Sequence, residues 1–125
     1  MNVVDSSAWL EYFADGPNAE DFASTIQDAA NLIVPSITLF EVFKRIRVQR
    51  DSEIALRAVS QMRRGTVVDL DADLAVAAAD LSADLKMALA DSVILATAQA
   101  YAATVWTQDA DFEGLDNVEY RVHRA

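Results

Sequence analysis

The chain predicts an α/β fold, a single domain with a central, mainly parallel sheet covered by helices on both faces. Short apolar runs alternate with longer stretches of helical periodicity along the whole sequence. The connections between runs are long enough for the crossovers that parallel neighbours need. Hydrophobic residues make up 53% of the 125 residues, enough for one proper core. No internal repeat, low-complexity tract or linker breaks the pattern.

Taken in order, Val3 and Val4 form a buried strand that stops at Asp5. Ser6 and Ser7 follow, and Trp9, Tyr12 and Phe13 recur at helical spacing. A helix therefore begins here, started by a serine or capped by Asp5. Gly16-Pro17-Asn18 reads as a turn, with Asn18 capping a second helix that buries Phe22 and Ile26. Leu32-Ile33-Val34 is the second strand, closed by Pro35. Ser36 is the expected cap of a long helix to about Arg50, its faces marked by Ile37, Phe40 and Phe43 or Lys44. Ser52 is the expected cap of the next helix, with Ala55, Val59 and Met62 as its stripe and Gly65 as its stop. Thr66-Val67-Val68 is the third strand. Asp71 or Asp69 caps a helix carrying Leu74, Ala78, Leu81 and Leu85. Leu89 to Ala103 is apolar nearly all round, which predicts a buried helix with Asp91 near its start. Thr104 to Trp106 is the fourth strand, ending at Thr107 and followed by Asp109 and Asp111. Phe112 turns back to the core, and Val118 to Val122 is the last strand.

Composition narrows the function classes. The absence of cysteine excludes a disulfide scaffold, a thiol nucleophile and thiolate metal sites, and fits a reducing cytoplasm. The first residues lack the basic-then-apolar order of a signal peptide. No apolar stretch approaches membrane-spanning length, so no membrane partner is expected. The net charge of −10 argues, taken whole, against a nucleic-acid partner. Yet seven of the ten basic residues lie between Lys44 and Arg64, opposed there only by Asp51 and Glu53. Lys44, Arg45, Arg47 and Arg50 are the candidate contacts to the phosphates of a polyanion, with Lys44 best placed because it follows Glu41 by one helical turn. A pair of solvated helix faces is an equally good account of these charges.

The acidic residues carry the chemistry. Asp5 ends the first strand, Asp109 and Asp111 end the fourth, Asp91 opens the buried helix before it, and Glu41 lies in the second turn after strand two. In a parallel sheet these points converge on one crevice beyond the carboxyl ends of the strands. Carboxylates crowded there without a basic neighbour must take up protons or bind a cation. Oxygen-only ligation points to a hard cation, Mg²⁺ or Mn²⁺, the usual device for in-line phosphodiester hydrolysis. Each acid alone reads as a cap, a turn residue or a solvated side chain; their common address is what suggests a site.

The runs VVDSSAWL at the start, SITLFEV around Glu41, LADSVILATA and TQDADF resemble a PIN domain, and most closely a VapC-type ribonuclease toxin. The resemblance spans nearly the whole chain; no single motif is specific, but their order and spacing are. It implies an α/β/α sandwich and a Mg²⁺- or Mn²⁺-dependent ribonuclease with a cognate antitoxin, and frequent homodimers. By position, Asp5, Glu41, Asp91 and Asp109 match the family's acidic quartet, and Asp111 an additional acid. Ser6 and Thr107 match hydroxyl positions that support the first and last acids. The strongly negative net charge departs from what a nuclease would prefer. An inhibitor is expected to lie across the Glu41 helix with an Arg or Lys near the carboxylates, covering apolar positions such as Trp9 and Phe13.

Rival assignments lack their residues. A receiver domain needs an acidic pair after strand one and a late Lys, but none follows Lys86. A haloacid-dehalogenase-type phosphatase needs a second Asp where Ser7 stands. A serine hydrolase needs a glycine-flanked elbow and a usable His. Ser6 and Ser7 lack such glycines, and His123, the one histidine, reads as a solvated terminal residue. The alternative from another class is a non-catalytic PIN-like module that binds RNA or protein, against which the intact acidic set stands.

Overall fold

A computed structural model describes residues 1–124. Its elements are β1 (Asn2–Val4), α1 (Ser6–Phe13), α2 (Ala19–Gln27), β2 (Leu32–Pro35), α3 (Ser36–Gln49), α4 (Ser52–Met62), β3 (Thr66–Val68), α5 (Ala72–Leu85), α6 (Leu89–Ala100), β4 (Thr104–Thr107) and β5 (Val118–Tyr120). The strands pair in the order β3-β2-β1-β4-β5, every pair parallel. The chain thus winds outward from β1 through β2 to β3, then returns to the other side of β1 with β4. The order reverses between β1 and β4, and that is where an open α/β sheet forms its crevice.

The two-residue period of a strand sorts the core into two layers. Val4, Leu32 and Val34 face Trp9, Phe22, Val42 and Met62 of α1 to α4. Val3, Ile33 and Val105 face the other way, toward Ile94, Leu95 and Phe112. α5 closes that side by packing Ala78 on Val93 and Ala96 of α6. The result is an α/β/α sandwich. α6 is buried from Ser92 through Ala98, and its two hydroxyl residues bond back to the helix, Ser92 to Leu89 O and Thr97 to Val93 O. No helix of the described residues is long and apolar enough to cross a membrane.

Several local expectations shift. The side chain that caps α4 is Asp51, which accepts from Ile54 N at 2.8 Å, so Ser52 is the first helical residue. Ser36 likewise begins α3 after Pro35 and does not cap it. Asn18 precedes α2 but makes no cap bond, because its amide is engaged elsewhere. Asp71 does cap α5, at 2.9 Å from Leu74 N. The buried stripe of α3 is Thr38, Val42 and Ile46, not the line through Ile37 and Phe40, and Phe40 is 61% exposed. Thr38 tolerates burial because its hydroxyl donates to Pro35 O at 2.7 Å. Leu85 is exposed at the end of α5, and β5 stops at Tyr120. Trp9 is 1% exposed, so this domain's own core covers it and no partner can.

Candidate active site

Asp5 stands one residue past β1 and is 2% exposed. As N-cap of α1, its Oδ1 accepts from Ala8 N at 3.1 Å and from Ser7 Oγ at 2.6 Å. Its Oδ2 accepts from Thr107 Oγ1 at 2.7 Å. Capping and site roles therefore coincide in one side chain. Burial pushes the Asp5 carboxyl up to about 6; the bonds from Ser7, Thr107 and Ala8 act downward, and the Asp109 charge adds to the rise.

Thr107 ends β4, is fully buried, and also accepts from Asp109 N at 2.9 Å. Asp109 then takes Asp111 N on its Oδ1 at 2.9 Å, starting a short 3-10 turn that buries Phe112. This folds both loop acids toward α6. Asp91 lies in the first turn of α6, and its carboxyl is pushed up to about 7, first by burial and then by the charges of Asp109, Asp5, Asp111 and Glu41. Glu41 on α3 is held by Ser6, whose Oγ donates to Oε1 at 2.6 Å.

Four of the five acids, Asp5, Glu41, Asp91 and Asp109, line one cleft of about 570 Å³. Asp91, Asp109 and Asp111 each bring a carboxylate oxygen within 4.8 Å of the others. Three hard oxygen donors that close, one of them on a carboxyl pushed up to about 7 by burial and then by its neighbours' charges, fit a hard divalent cation. Ser6 and Thr107 are both hydroxyl supports, but not as expected. Ser6 serves Glu41, whereas Thr107 serves Asp5 and the loop of Asp109 together.

The basic residues also sort differently. Arg45 and Arg50 line the acidic cleft. Neither has a carboxylate within 4.0 Å among the described residues. Lys44 instead lies over the Phe40 ring, 5.8 Å from its centroid, in a separate apolar groove with Leu39, Phe43 and Val59. Arg47 is exposed and lines neither. The cleft is therefore not free of basic neighbours, as the sequence pattern suggested.

Other residues of the site escaped notice in the sequence. Ser7 bonds Asp5 and takes Gln108 N at 3.3 Å. Gln108 and the buried Glu11 line the cleft, and Glu11 Oε2 accepts from Asn18 N at 2.7 Å. A serine two places after an acid and a carboxylate one turn into an apolar helix are the signals that pointed to them. His123 also lines the cleft.

The family model of the PIN domain matches residues 3–118, and the chain belongs to that family. Solved structures with the same fold include a toxin–antitoxin complex from Klebsiella pneumoniae, 21% identical, with a TM-score of 0.81 over 95% of this chain and 96% of that one. Another is VapC20 of Mycobacterium tuberculosis, described as a toxin that cleaves the sarcin-ricin loop. It is 16% identical, with a TM-score of 0.80 over 95% of this chain and 98% of the other. A third is DNA-bound VapBC of Salmonella typhimurium, 20% identical, with a TM-score of 0.71 over 97% and 98%. At these identities the likeness is one of fold. No curated protein matches the chain in sequence.

Proposed function

We propose that the protein is a metal-dependent endoribonuclease, the toxin of a toxin–antitoxin pair acting in the cytoplasm. The observation that carries this is the convergence of Asp91, Asp109 and Asp111 within 4.8 Å, beside Asp5 and Glu41, in a PIN domain. Asp91, Asp109 and Asp111, with Asp5 and Glu41 alongside, would hold Mg²⁺ or Mn²⁺. Such an ion supplies charge neutralisation and Lewis acidity for phosphodiester hydrolysis.

The chain's own residues prepare the rest. Ser7, Ala8 N and Thr107 fix both oxygens of Asp5, and Ser6 fixes Glu41, so the carboxylates are aimed before substrate arrives. Arg45 and Arg50 lie where RNA phosphates would enter the cleft, as local positive charge on an acidic protein. The cognate antitoxin belongs to the same proposal. The groove of Leu39, Phe40, Phe43 and Val59 offers it an apolar contact, and the acid cleft a place for a basic side chain. Pairing of two copies is proposed too, with exposed Val76, Leu85 and Leu89 as apolar surface.

Induced expression in a bacterial host, followed by mapping of RNA ends, tests this reading. The parent should arrest growth and leave new ends at defined positions, and Asp91→Asn should do neither. Arrest by both proteins alike, with no new RNA ends, would leave a non-catalytic binding module as the better account.

A further inference from the structure

The C-terminal segment belongs to the site. β5 runs parallel to β4, so it delivers the chain to the same edge as Asp109. The ladder continues one residue further, with Arg121 N donating to Thr107 O at 2.9 Å. Beyond it the backbone is tied down on both sides of His123. Asn18 Nδ2 donates to Val122 O at 2.9 Å, and Arg124 Nε donates to Asn18 Oδ1 at 2.7 Å. Arg124 also reaches Pro17 O at 3.0 Å and Asp21 at 3.8 Å.

Asn18 is the latch. It is 1% exposed, and both ends of its amide are used. Its second N–H goes to Gln108 Oε1 at 3.0 Å. Gln108 sits between Thr107 and Asp109, so the latch fastens the tail to the acid-bearing loop itself. A buried amide with both N–H groups and its oxygen bonded holds its partners in one arrangement. His123 lies on a strap clipped at both of its neighbours, is exposed and lines the acidic cleft.

We infer that His123 is a substrate-positioning residue: its imidazole N–H binds a phosphate oxygen of the RNA strand entering the cleft, and Asn18 holds it there. This rests on the ribonuclease reading. In any protonation state imidazole keeps at least one N–H to donate. It is the donor the acids cannot supply, and it is on the chain segment furthest in sequence from Arg45 and Arg50. Contact to a phosphate away from the reacting bond strengthens binding of substrate and transition state alike, so it acts on KM and not on kcat.

The test uses the full chain without a histidine tag, loaded with Mn²⁺, and a fluorescent single-stranded RNA oligonucleotide. His123→Ala should raise KM about five- to tenfold, the cost of one solvent-exposed hydrogen bond, with kcat held within about twofold. His123→Gln, which keeps an N–H donor, should recover part of the affinity. Asn18→Ala should raise KM similarly by releasing the strap, and adding His123→Ala to it should do no further harm. Because His123 is the only histidine, its imidazole resonances report directly. They should move when the same RNA is added with Ca²⁺ in place of Mn²⁺. If the parent cuts the RNA while His123→Ala leaves KM unchanged and the resonances stay still, the inference is overturned and the ribonuclease reading survives. If the parent neither binds nor cuts RNA, both fall. Should Asn18→Ala fail to fold, the two His123 variants decide the matter alone.

Discussion

Thr107 donates to Asp5 at 2.7 Å across 102 residues of chain, joining the ends of the two strands between which the sheet order reverses. The same hydroxyl accepts Asp109 N at 2.9 Å. One buried oxygen thus sets the first acid and the loop of the last. Thr107→Val keeps the shape and removes both bonds. It should cost about 2–3 kcal/mol, because one oxygen of a buried carboxylate and a backbone N–H each lose their partner. The melting temperature should fall by roughly 8–15 °C. Thr107→Ser should recover most of it. A loss no larger than that of an exposed Thr→Val change would show that the hydroxyl does not organise the site.

The two serines have different duties, and variants should separate them. Ser7→Ala strips Asp5 of its shortest bond and leaves Gln108 N without its acceptor, so it should lower both stability and cleavage. Ser6→Ala frees only Glu41, on a half-exposed surface, and should lower cleavage with little change in melting. Melting curves of equal depression for the two would contradict this division.

Burial, with the crowding of the acids adding to it, predicts the pH dependence of the metal-free protein. Asp5 is raised to about 6 and Asp91 to about 7, against 3.8 for a free side chain. The native site therefore binds more protons than the unfolded chain. Its contribution to stability is full below about pH 4 and is lost as pH rises through 6 to 7. The acids titrate as a set, so the profile belongs to the cluster. The buried Asp5 accounts for a swing on the order of 3 kcal/mol. Urea denaturation of the chelator-treated parent and of Asp5→Asn, from pH 4.5 to 8, measures it. Relative to the parent, Asp5→Asn should gain stability steadily with pH. A difference that stays flat would show that burial and its acidic neighbours do not raise the Asp5 carboxyl.

Arg45, and not Lys44, should govern RNA binding. On a helix, the fourth residue after Glu41 stands about 40° from it and the third about 60° to the other side. Arg45 therefore turns into the cleft while Lys44 turns to Phe40. Arg45→Ala or Arg50→Ala should weaken binding and reduce the salt slope by about 0.7 for one single-strand phosphate contact. Lys44→Ala should leave both unchanged. An equal effect of Lys44→Ala would mean RNA follows the helix surface and not the cleft.

The strands, their parallel arrangement and the addresses of all five acids were legible because each rests on a local signal. Val3-Val4, Leu32–Val34 and Thr104–Trp106 are short apolar runs, and an acid follows a parallel strand only at one edge of the sheet. The α3 face was not legible, because two stripes on that helix have helical spacing. The choice fell to Thr38, which is polar by composition but buried through its bond to Pro35 O. The cap of α4 slipped by one residue because an acid and a serine adjoin at Asp51 and Ser52, and either chemistry serves. The bonds of Ser6 to Glu41 and of Thr107 to Asp5, and the latch of Asn18 on the tail, are contacts across 35 to 106 residues. No local pattern encodes them.

The proposed function stands or falls on whether the acidic cleft cuts RNA with a divalent cation. Cleavage of an unstructured RNA oligonucleotide by the purified protein tests it most directly. The parent, Asp5→Asn and Asp91→Asn should be compared in Mn²⁺, in Mg²⁺ and in chelator. The parent should cut in either metal and not in chelator. Both variants should lose at least about 100-fold, the scale of removing one preorganised charge from an active site. Cutting that persists in chelator, or at near the parent rate in Asp91→Asn, would contradict the proposed function.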